Sequence, residues 1–208
     1  MDHAYDGQLE ELSPRAEQIL DAAIDCFAHA GFHGTRTVDI ARAAGVGEGT
    51  IYNHFKDKLT LFVCVIERIV NQIRAIREAA FKEKDSAIER LLESTRRSEA
   101  YMCAHREHAE ILTRALMIPE VTLACKRFLD EQIKHNRETF EGIAFECGLD
   151  LNDDHRDALV WAIMGGYHML LTNWATSNYA REVPGIFDFT RSFIEILQLR
   201  GRKAGEPA

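Results

Sequence analysis

Apolar residues recur in steps of three and four from position 62 to position 80, and this spacing constrains the fold more than any other feature. They are Phe62, Ile66, Ile69, Ile73, Ile76 and Ala80. Because an α-helix has 3.6 residues per turn, such steps place all six side chains on one helical face. The sequence therefore predicts a long helix that packs along its whole length.

Helical spacing recurs along most of the chain. Ser13-Pro14 and Asp57 are typical of helix starts, and Gly45 and Gly148 are typical of helix ends. The chain has only four prolines, and no alternation of apolar and polar residues predicts a strand. The predicted fold class is all-α with about nine helices, over residues 14–30, 37–44, 48–55, 57–80, 86–104, 107–117, 120–147, 152–178 and 185–199.

Charge is distributed unevenly. The net charge of −8, from 25 basic and 33 acidic residues, argues against indiscriminate binding to nucleic acid. Residues 1–25 carry one base and seven acids, a net charge of −6, whereas residues 36–58 carry four bases and three acids, a net charge of +1. The second segment is therefore the one that phosphate repels least.

Five cysteines are scattered through the chain, an odd number that favours reduced thiols in the cytoplasm over a disulfide framework. The longest apolar stretch, residues 158–171, is interrupted by Gly165-Gly166 and is too short to span a bilayer, so no membrane contact is expected. Residues 1–12 are acidic, lack the apolar core of a signal peptide and are expected to form a disordered tail.

The segment from Thr37 to Leu59 predicts two short helices joined by a tight turn. Gly45 stands at the turn, where the backbone needs a positive φ. A small apolar core would fix the angle between the helices, and it comprises Ile40, Ala41, Ala44, Val46, Ile51 and Phe55. The second helix is short and polar on its outer face. A helix of this kind, braced across another helix, fits the major groove of DNA.

This segment resembles the DNA-binding signature of the TetR family of bacterial transcriptional repressors. The matching elements are a helix that begins with Thr37, an Ile-Ala-x-x-Ala-Gly-Val turn, Gly-Thr-Ile-Tyr-x-His-Phe and a final Lys-x-Leu. The resemblance covers about residues 13–62. It implies a three-helix DNA-binding domain over residues 13–56, a larger effector-binding and dimerisation domain over residues 57–200, and a frayed tail over residues 201–208.

The resemblance also implies which side chains contact DNA. Thr37 would cap the second helix and contact phosphate, with Arg36 beside it. Lys58 would contact the DNA backbone. From the second helix the family contacts would come from Thr50, Tyr52 and His54, the last two mainly to phosphate.

Three further positions of this helix are the better candidates for reading bases, and they are Glu48, Gly49 and Asn53. Asparagine can pair with adenine, and glutamate can accept a hydrogen bond from cytosine.

The last two predicted helices are apolar over more than one face, which exceeds what one monomer core needs. The resemblance implies that they form a four-helix bundle across a homodimer, which would bind a palindromic operator with half-sites about 34–36 Å apart. Gly165-Gly166 lies in the middle of one of these helices, where glycine is unfavourable. A close contact between helices would explain the pair, and room for a ligand is the alternative.

The family binds small-molecule effectors among its middle helices. Large or adaptable side chains are the candidates here, and the alternative is that they are ordinary core residues. An apolar or aromatic ligand of modest size is expected, without a cofactor, near Met102, Phe140, Trp161, Met164, Tyr167 and His168.

Besides a purely structural helical dimer, which would show no salt-dependent DNA binding, two other functions compete with a ligand-responsive repressor. Cys103, His105 and His108 cluster in the sequence, so a metal- or redox-responsive repressor of the same fold is one alternative. No Cys-x-x-Cys or His-x-x-x-His spacing accompanies them, and no metal site is predicted. An enzyme with a helical cage is the other alternative. The sequence offers it no glycine-rich phosphate loop, nucleophile elbow or metal pair, so no catalytic residue is assigned.

Overall fold

A computed structural model describes residues 12–180 and 182–204 of the chain. Within these ranges it contains ten α-helices and no strand, which confirms the all-α prediction. The helices are α1 (Pro14–Gly34), α2 (Thr37–Ala43), α3 (Glu48–His54), α4 (Lys58–Glu83), α5 (Ala87–Ala104), α6 (Arg106–Ala115), α7 (Pro119–Ala124), α8 (Lys126–Cys147), α9 (Asp153–Thr176) and α10 (Ile186–Ala204). Of the predicted tails, residues 1–11 and 205–208 lie outside the described ranges.

Short polar side chains begin several helices, as the sequence predicts. Ser13 Oγ accepts a hydrogen bond from the backbone N–H of Ala16 at 3.2 Å. Asp57 Oδ1 accepts one from Thr60 N at 2.7 Å, and Asn152 Oδ1 accepts one from His155 N. These bonds satisfy N–H groups that lack a carbonyl partner in the first turn of a helix.

The predicted helix over residues 120–147 is divided in two. At Cys125 the backbone takes φ −88° and ψ 6°, and this ψ is far from the helical value near −42°. The α-helical hydrogen-bond ladder is therefore interrupted between α7 and α8. Helix α10, in contrast, runs beyond its predicted end and continues to Ala204.

Two compact units divide the chain, and the division falls within α4. In the described ranges, the first unit comprises residues 12–72 and 106–125. Its buried core is aromatic: the ring centroids of Phe27 and Phe62 lie 4.6 Å apart in an edge-on arrangement. This unit includes α6 and α7 and the first part of α4 in addition to the three N-terminal helices.

The second unit comprises residues 73–105, 126–180 and 182–204 among those described. Its core lies between α5, α8, α9 and α10. The side chains that form this core cluster are Leu91, Phe140, Ile143, Val160, Ile163, Ile194 and Leu197.

Gly166 allows α9 and α10 to approach closely. A Cβ atom built on Gly166 would lie 2.5 Å from Cζ of Phe189, whereas one built on Gly165 would meet nothing within 4 Å. The predicted close contact between helices is therefore confirmed for Gly166. Phe189 has little freedom to retreat, because its ring packs against Tyr167 and Phe193 at centroid distances of 6.1 Å.

We predict that Gly166→Ala destabilises the protein although alanine is the better helix former. Overpacking against Phe189 is expected to cost about 2–3 kcal/mol, which leaves a net loss of about 1–2 kcal/mol in the free energy of unfolding after the roughly 1 kcal/mol gained in helix propensity. Urea unfolding at one fixed protein concentration measures the change.

Phe189→Leu supplies the control, because it removes the ring that the new methyl group would strike. The double variant Gly166→Ala/Phe189→Leu should lose less stability than the two single variants together. A Gly166→Ala protein as stable as the wild type would show that the contact is not tight.

Candidate functional site

The turn between α2 and α3 has the predicted geometry. Gly45 takes φ +63°, a left-handed conformation that glycine adopts without steric cost. Ile40 and Ala41 of α2 and Ile51 of α3 are almost fully buried, as is Phe55 directly after α3. The two helices are therefore braced by a small apolar core, as predicted.

Burial of Ile51 and Phe55 leaves the opposite face of α3 in solvent. The exposed side of this helix comprises Glu48, Gly49, Tyr52, Asn53 and His54, whereas Thr50 is half-buried. Tyr52 is 49% exposed, which is unusual for a large aromatic residue without a partner to cover it. Five of the six residues predicted for this helix are thus exposed on its surface, and Thr50 is partly exposed.

Thr37 joins α2 to this surface. Its hydroxyl donates a hydrogen bond to Glu48 Oε1 at 2.5 Å and shares another with the hydroxyl of Tyr52 at 3.2 Å. We call this group the Thr37 clamp, formed by Thr37, Glu48 and Tyr52. The clamp was not predicted from the sequence. It gives the carboxylate of Glu48 a hydrogen-bond partner within the protein, on the surface that is predicted to face phosphate.

The prediction that Thr37 caps α2 is wrong. Thr37 is the first residue of the helix, and Arg36 occupies the cap position without a side-chain capping hydrogen bond. The hydroxyl of Thr37 instead hydrogen-bonds with Glu48 and Tyr52 of α3.

Two arginines flank one carboxylate at the start of α2. Arg36 Nε and Arg42 Nη1 lie 2.9 and 3.1 Å from oxygens of Asp39, and both arginine side chains are largely exposed. The hydrogen bond from Arg36 holds the pKa of Asp39 below its usual range, with further help from the charges of both arginines. Asp39 therefore stays ionised, and the two arginines and this carboxylate together carry a net charge of +1.

Lys58 is bound within the protein. Its ammonium donates to the backbone carbonyls of Phe32 at 2.8 Å and Thr35 at 3.0 Å, and it lies 4.6 Å from the centroid of the Phe32 ring. These contacts join the end of α1 to the start of α4. Because an ammonium has three donors, one remains for the predicted phosphate contact, which stays a prediction.

The sequence profile described as "Bacterial regulatory proteins, tetR family" matches residues 19–65, which contain this whole arrangement. The chain belongs to the TetR family. A curated relative, the fatty acid metabolism regulator protein of Bacillus subtilis, is 28% identical over 138 residues, which are 66% of this chain and 70% of the relative. The transcriptional repressor AcnR of Corynebacterium diphtheriae is 30% identical over 127 residues, 61% of this chain and 60% of AcnR.

The fold of this TetR-family chain extends beyond the matched segment. The crystal structure of FadR from Bacillus subtilis in complex with stearoyl-CoA covers 87% of this chain and 96% of the FadR chain, with a TM-score of 0.74 and 23% identity. None of the helices in the described part of the chain combines the length and the hydropathy that a membrane-spanning segment requires.

The predicted effector residues of the TetR-family chain fall into different environments within the second unit. Phe140 belongs to the core cluster, and Met164 and Tyr167 pack against it. Met102 is buried in α5 and His168 is half-buried. Trp161 is 60% exposed on α9, so the structure separates it from the three residues that meet at the core cluster.

Tyr167 brings polar groups into this apolar environment. Its hydroxyl hydrogen-bonds with Thr190 Oγ1 at 2.8 Å and with Thr95 Oγ1 at 3.1 Å, which links α9 to α10 and α5. Burial raises the pKa of Tyr167, so the phenol stays protonated at physiological pH.

The alternative of a metal- or redox-responsive repressor, which would use cysteine or histidine side chains, stays a hypothesis. Burial raises the pKa of Cys64 to about 12 and that of Cys125 to about 11, which keeps both thiols protonated and unreactive. His108 is buried in α6, and its Nε2 lies 3.9 Å from Glu107 Oε1.

We predict that Lys58→Met lowers the free energy of unfolding by about 2 kcal/mol, because it removes two charge-assisted hydrogen bonds and leaves two carbonyls unpaired. Thermal and urea unfolding measure the change.

Lys56→Met is the matched control, since Lys56 is exposed two residues earlier and the substitution removes the same charge. It should leave stability within about 0.5 kcal/mol of the wild type. Equal stability of the two variants would mean that Lys58 is free to serve DNA alone.

Proposed function

We propose that the chain is a cytoplasmic, dimeric transcriptional repressor that binds a palindromic operator and leaves it when a small molecule binds to its second unit. The observation that carries the proposal is the exposed polar face of α3, held in place by the buried Ile51 and Phe55. No catalytic residue is part of the proposal.

The dimensions of α3 support a role in the major groove. The helix has seven residues, about two turns, and its apolar packing comes from its inner face. In this proposal Tyr52 and His54 contact phosphate, together with Arg36 and Lys58 near the ends of neighbouring helices. Asn53 points from the exposed face and is the strongest candidate for reading a base.

An apolar surface on the last two helices supports dimerisation. We call this the α9–α10 face; its large side chains are all about 60% exposed or more, and they are Trp161, Met169, Ile196 and Leu199. On α9, the exposed Ala158, Ala162 and Gly165 lie on the same helical face as Trp161 and Met169. Small residues among large apolar ones allow helices of a second copy to approach, and contact between the same face of two copies gives a twofold-symmetric dimer.

The effector we favour has an apolar chain. The related FadR of Bacillus subtilis was solved in complex with stearoyl-CoA, and in this chain Phe140, Met164 and Tyr167 provide apolar and adaptable groups around the core cluster. A ligand that binds more tightly to the DNA-free form of the dimer shifts the population toward that form. The affinity for DNA then falls by a factor that is at most the ratio of the ligand's affinities for the two forms.

Binding to the DNA that flanks the protein's own gene tests the proposal. We expect selective binding, with a Kd in the nanomolar range or below, over a scrambled fragment. We also expect a steep loss of affinity with salt, because phosphate contacts release counterions. Fluorescence anisotropy across a salt series measures both. Equal, weak binding to the flanking and scrambled DNA would contradict the proposal.

Substitutions at two neighbouring residues distinguish a phosphate contact from a base contact. Asn53→Ala should cost about 1–3 kcal/mol of binding free energy and relax the preference at one base pair. Tyr52→Phe, which removes only the hydroxyl, should weaken binding to every sequence by the same smaller factor. A panel of single-base operator variants measures both effects. An equal loss on all operators for Asn53→Ala would remove its assignment as a base-reading residue.

The oligomeric state of a variant tests whether the α9–α10 face forms the dimer interface. The double substitution Met169→Glu/Ile196→Glu should convert the dimer to a monomer, because each interface would then bury four unpaired carboxylates. Leu123→Glu is the matched control, since Leu123 of α7 is 74% exposed and lies outside this face. Light scattering after size exclusion distinguishes the states. A dimer that survives the double substitution would place the interface elsewhere.

A further inference from the structure

Arg77 carries a charge that no acid in the described part of the chain pairs with. Its guanidinium donates hydrogen bonds from α4 to two neutral amide oxygens of α8, Gln132 Oε1 at 2.8 Å and Asn136 Oδ1 at 3.1 Å. Arg74, one turn earlier, differs because it pairs with the carboxylate of Glu131 at 3.3 Å. A guanidinium has five N–H donors, so Arg77 retains unused ones.

The surroundings of this guanidinium are poor in water. Burial lowers the pKa of Arg77, and the nearby charge of Arg74 lowers it further. An arginine side chain stays protonated even so, which leaves a positive charge in a setting that favours an anionic partner. The residue as a whole is only half-buried, so part of it is accessible from solvent.

An unpartnered polar atom lies on the same stretch of α8. Nε2 of His135 is buried and has no hydrogen-bond partner. The imidazole stacks against Phe81 at a centroid distance of 5.2 Å, and burial followed by the charge of Arg77 lowers its pKa. A neutral imidazole nitrogen that is shut off from water and unpaired is costly unless a ligand or a water molecule satisfies it.

The apolar core cluster begins one helical turn beyond this polar group on α8. Gln132, Asn136 and Phe140 are separated by steps of four and therefore share one helical face. Phe140 belongs to the core cluster, where Met164 and Tyr167 pack. A molecule with an anionic end and an apolar body matches this order of side chains.

We propose that Arg77 is the anchor for an anionic group, a carboxylate or phosphate, at one end of the effector. The guanidinium would hold two oxygens side by side, as its planar fork allows, with Nε2 of His135 as an additional hydrogen-bonding atom. The apolar body would extend toward Phe140. This inference rests on the proposed function, in which the second unit takes up a small molecule.

Three probes with the same ten-carbon chain test the proposal: decanoate, decyl phosphate and decanol, each below its micelle-forming concentration. Isothermal titration with the full-length protein should give tighter binding of at least one anionic probe than of decanol, by roughly 10- to 150-fold, the range expected for charged hydrogen bonds. Whichever anion binds more tightly distinguishes a carboxylate from a phosphate headgroup.

Variants at position 77 then assign the preference. Arg77→Gln should abolish the advantage of the anionic probe and leave decanol affinity unchanged, and Arg77→Lys, which keeps the charge without the planar fork, should retain part of it. Arg74→Gln is the control and should keep the wild-type preference, because Arg74 already has a carboxylate partner.

Equal affinity of the wild type for decanoate, decyl phosphate and decanol would overturn the proposal without any variant. Failure of both anions to bind, or retention of the anionic preference by Arg77→Gln, would overturn it as well. Operator binding by the ligand-free wild type, measured in parallel, separates this outcome from failure of the proposed function.

Discussion

Burial of Ile51 and Phe55 determines which side of α3 meets solvent, and the proposed DNA-binding surface depends on that single constraint. A seven-residue helix is too short to be stable alone in water, so α3 exists because its inner face packs on α2. The same packing fixes the rotation of the helix, which leaves Tyr52, Asn53 and His54 outside. The Thr37 clamp adds a polar connection at the rim of this contact.

The second unit combines two kinds of unmatched groups. Its α9–α10 face is apolar and exposed, which favours a protein partner, whereas Arg77 and His135 are polar groups in a desolvated setting, which favours a small ligand with a charge. Tyr167 does not belong to either set, because its hydroxyl hydrogen-bonds with two threonines, Thr95 and Thr190. Its role is to join three helices near the core cluster.

Much of the fold follows from local signals. The starts of α1, α4 and α9 were predictable because Ser13, Asp57 and Asn152 bond to backbone groups only three residues away. The division of the predicted seventh helix at Cys125 was not, since no glycine or proline stands there to signal it.

Longer-range contacts limited the prediction of the site. Glu48 lies 11 residues from Thr37, and Lys58 lies 26 residues from Phe32, so their hydrogen bonds leave no periodic or capping signal in the sequence. Arg77 likewise looks like any charged residue on the outer face of a helix. Only the structure reveals that its guanidinium is desolvated and faces two amides.

Hydroxyl-radical footprinting on the operator is the sharpest test of a dimeric operator-binding protein, because it reports where the dimer places its two copies of α3. We expect two symmetric protected half-sites with centres about 34–36 Å apart, one turn of DNA. A single protected patch, or weak protection spread evenly along the fragment, would contradict it.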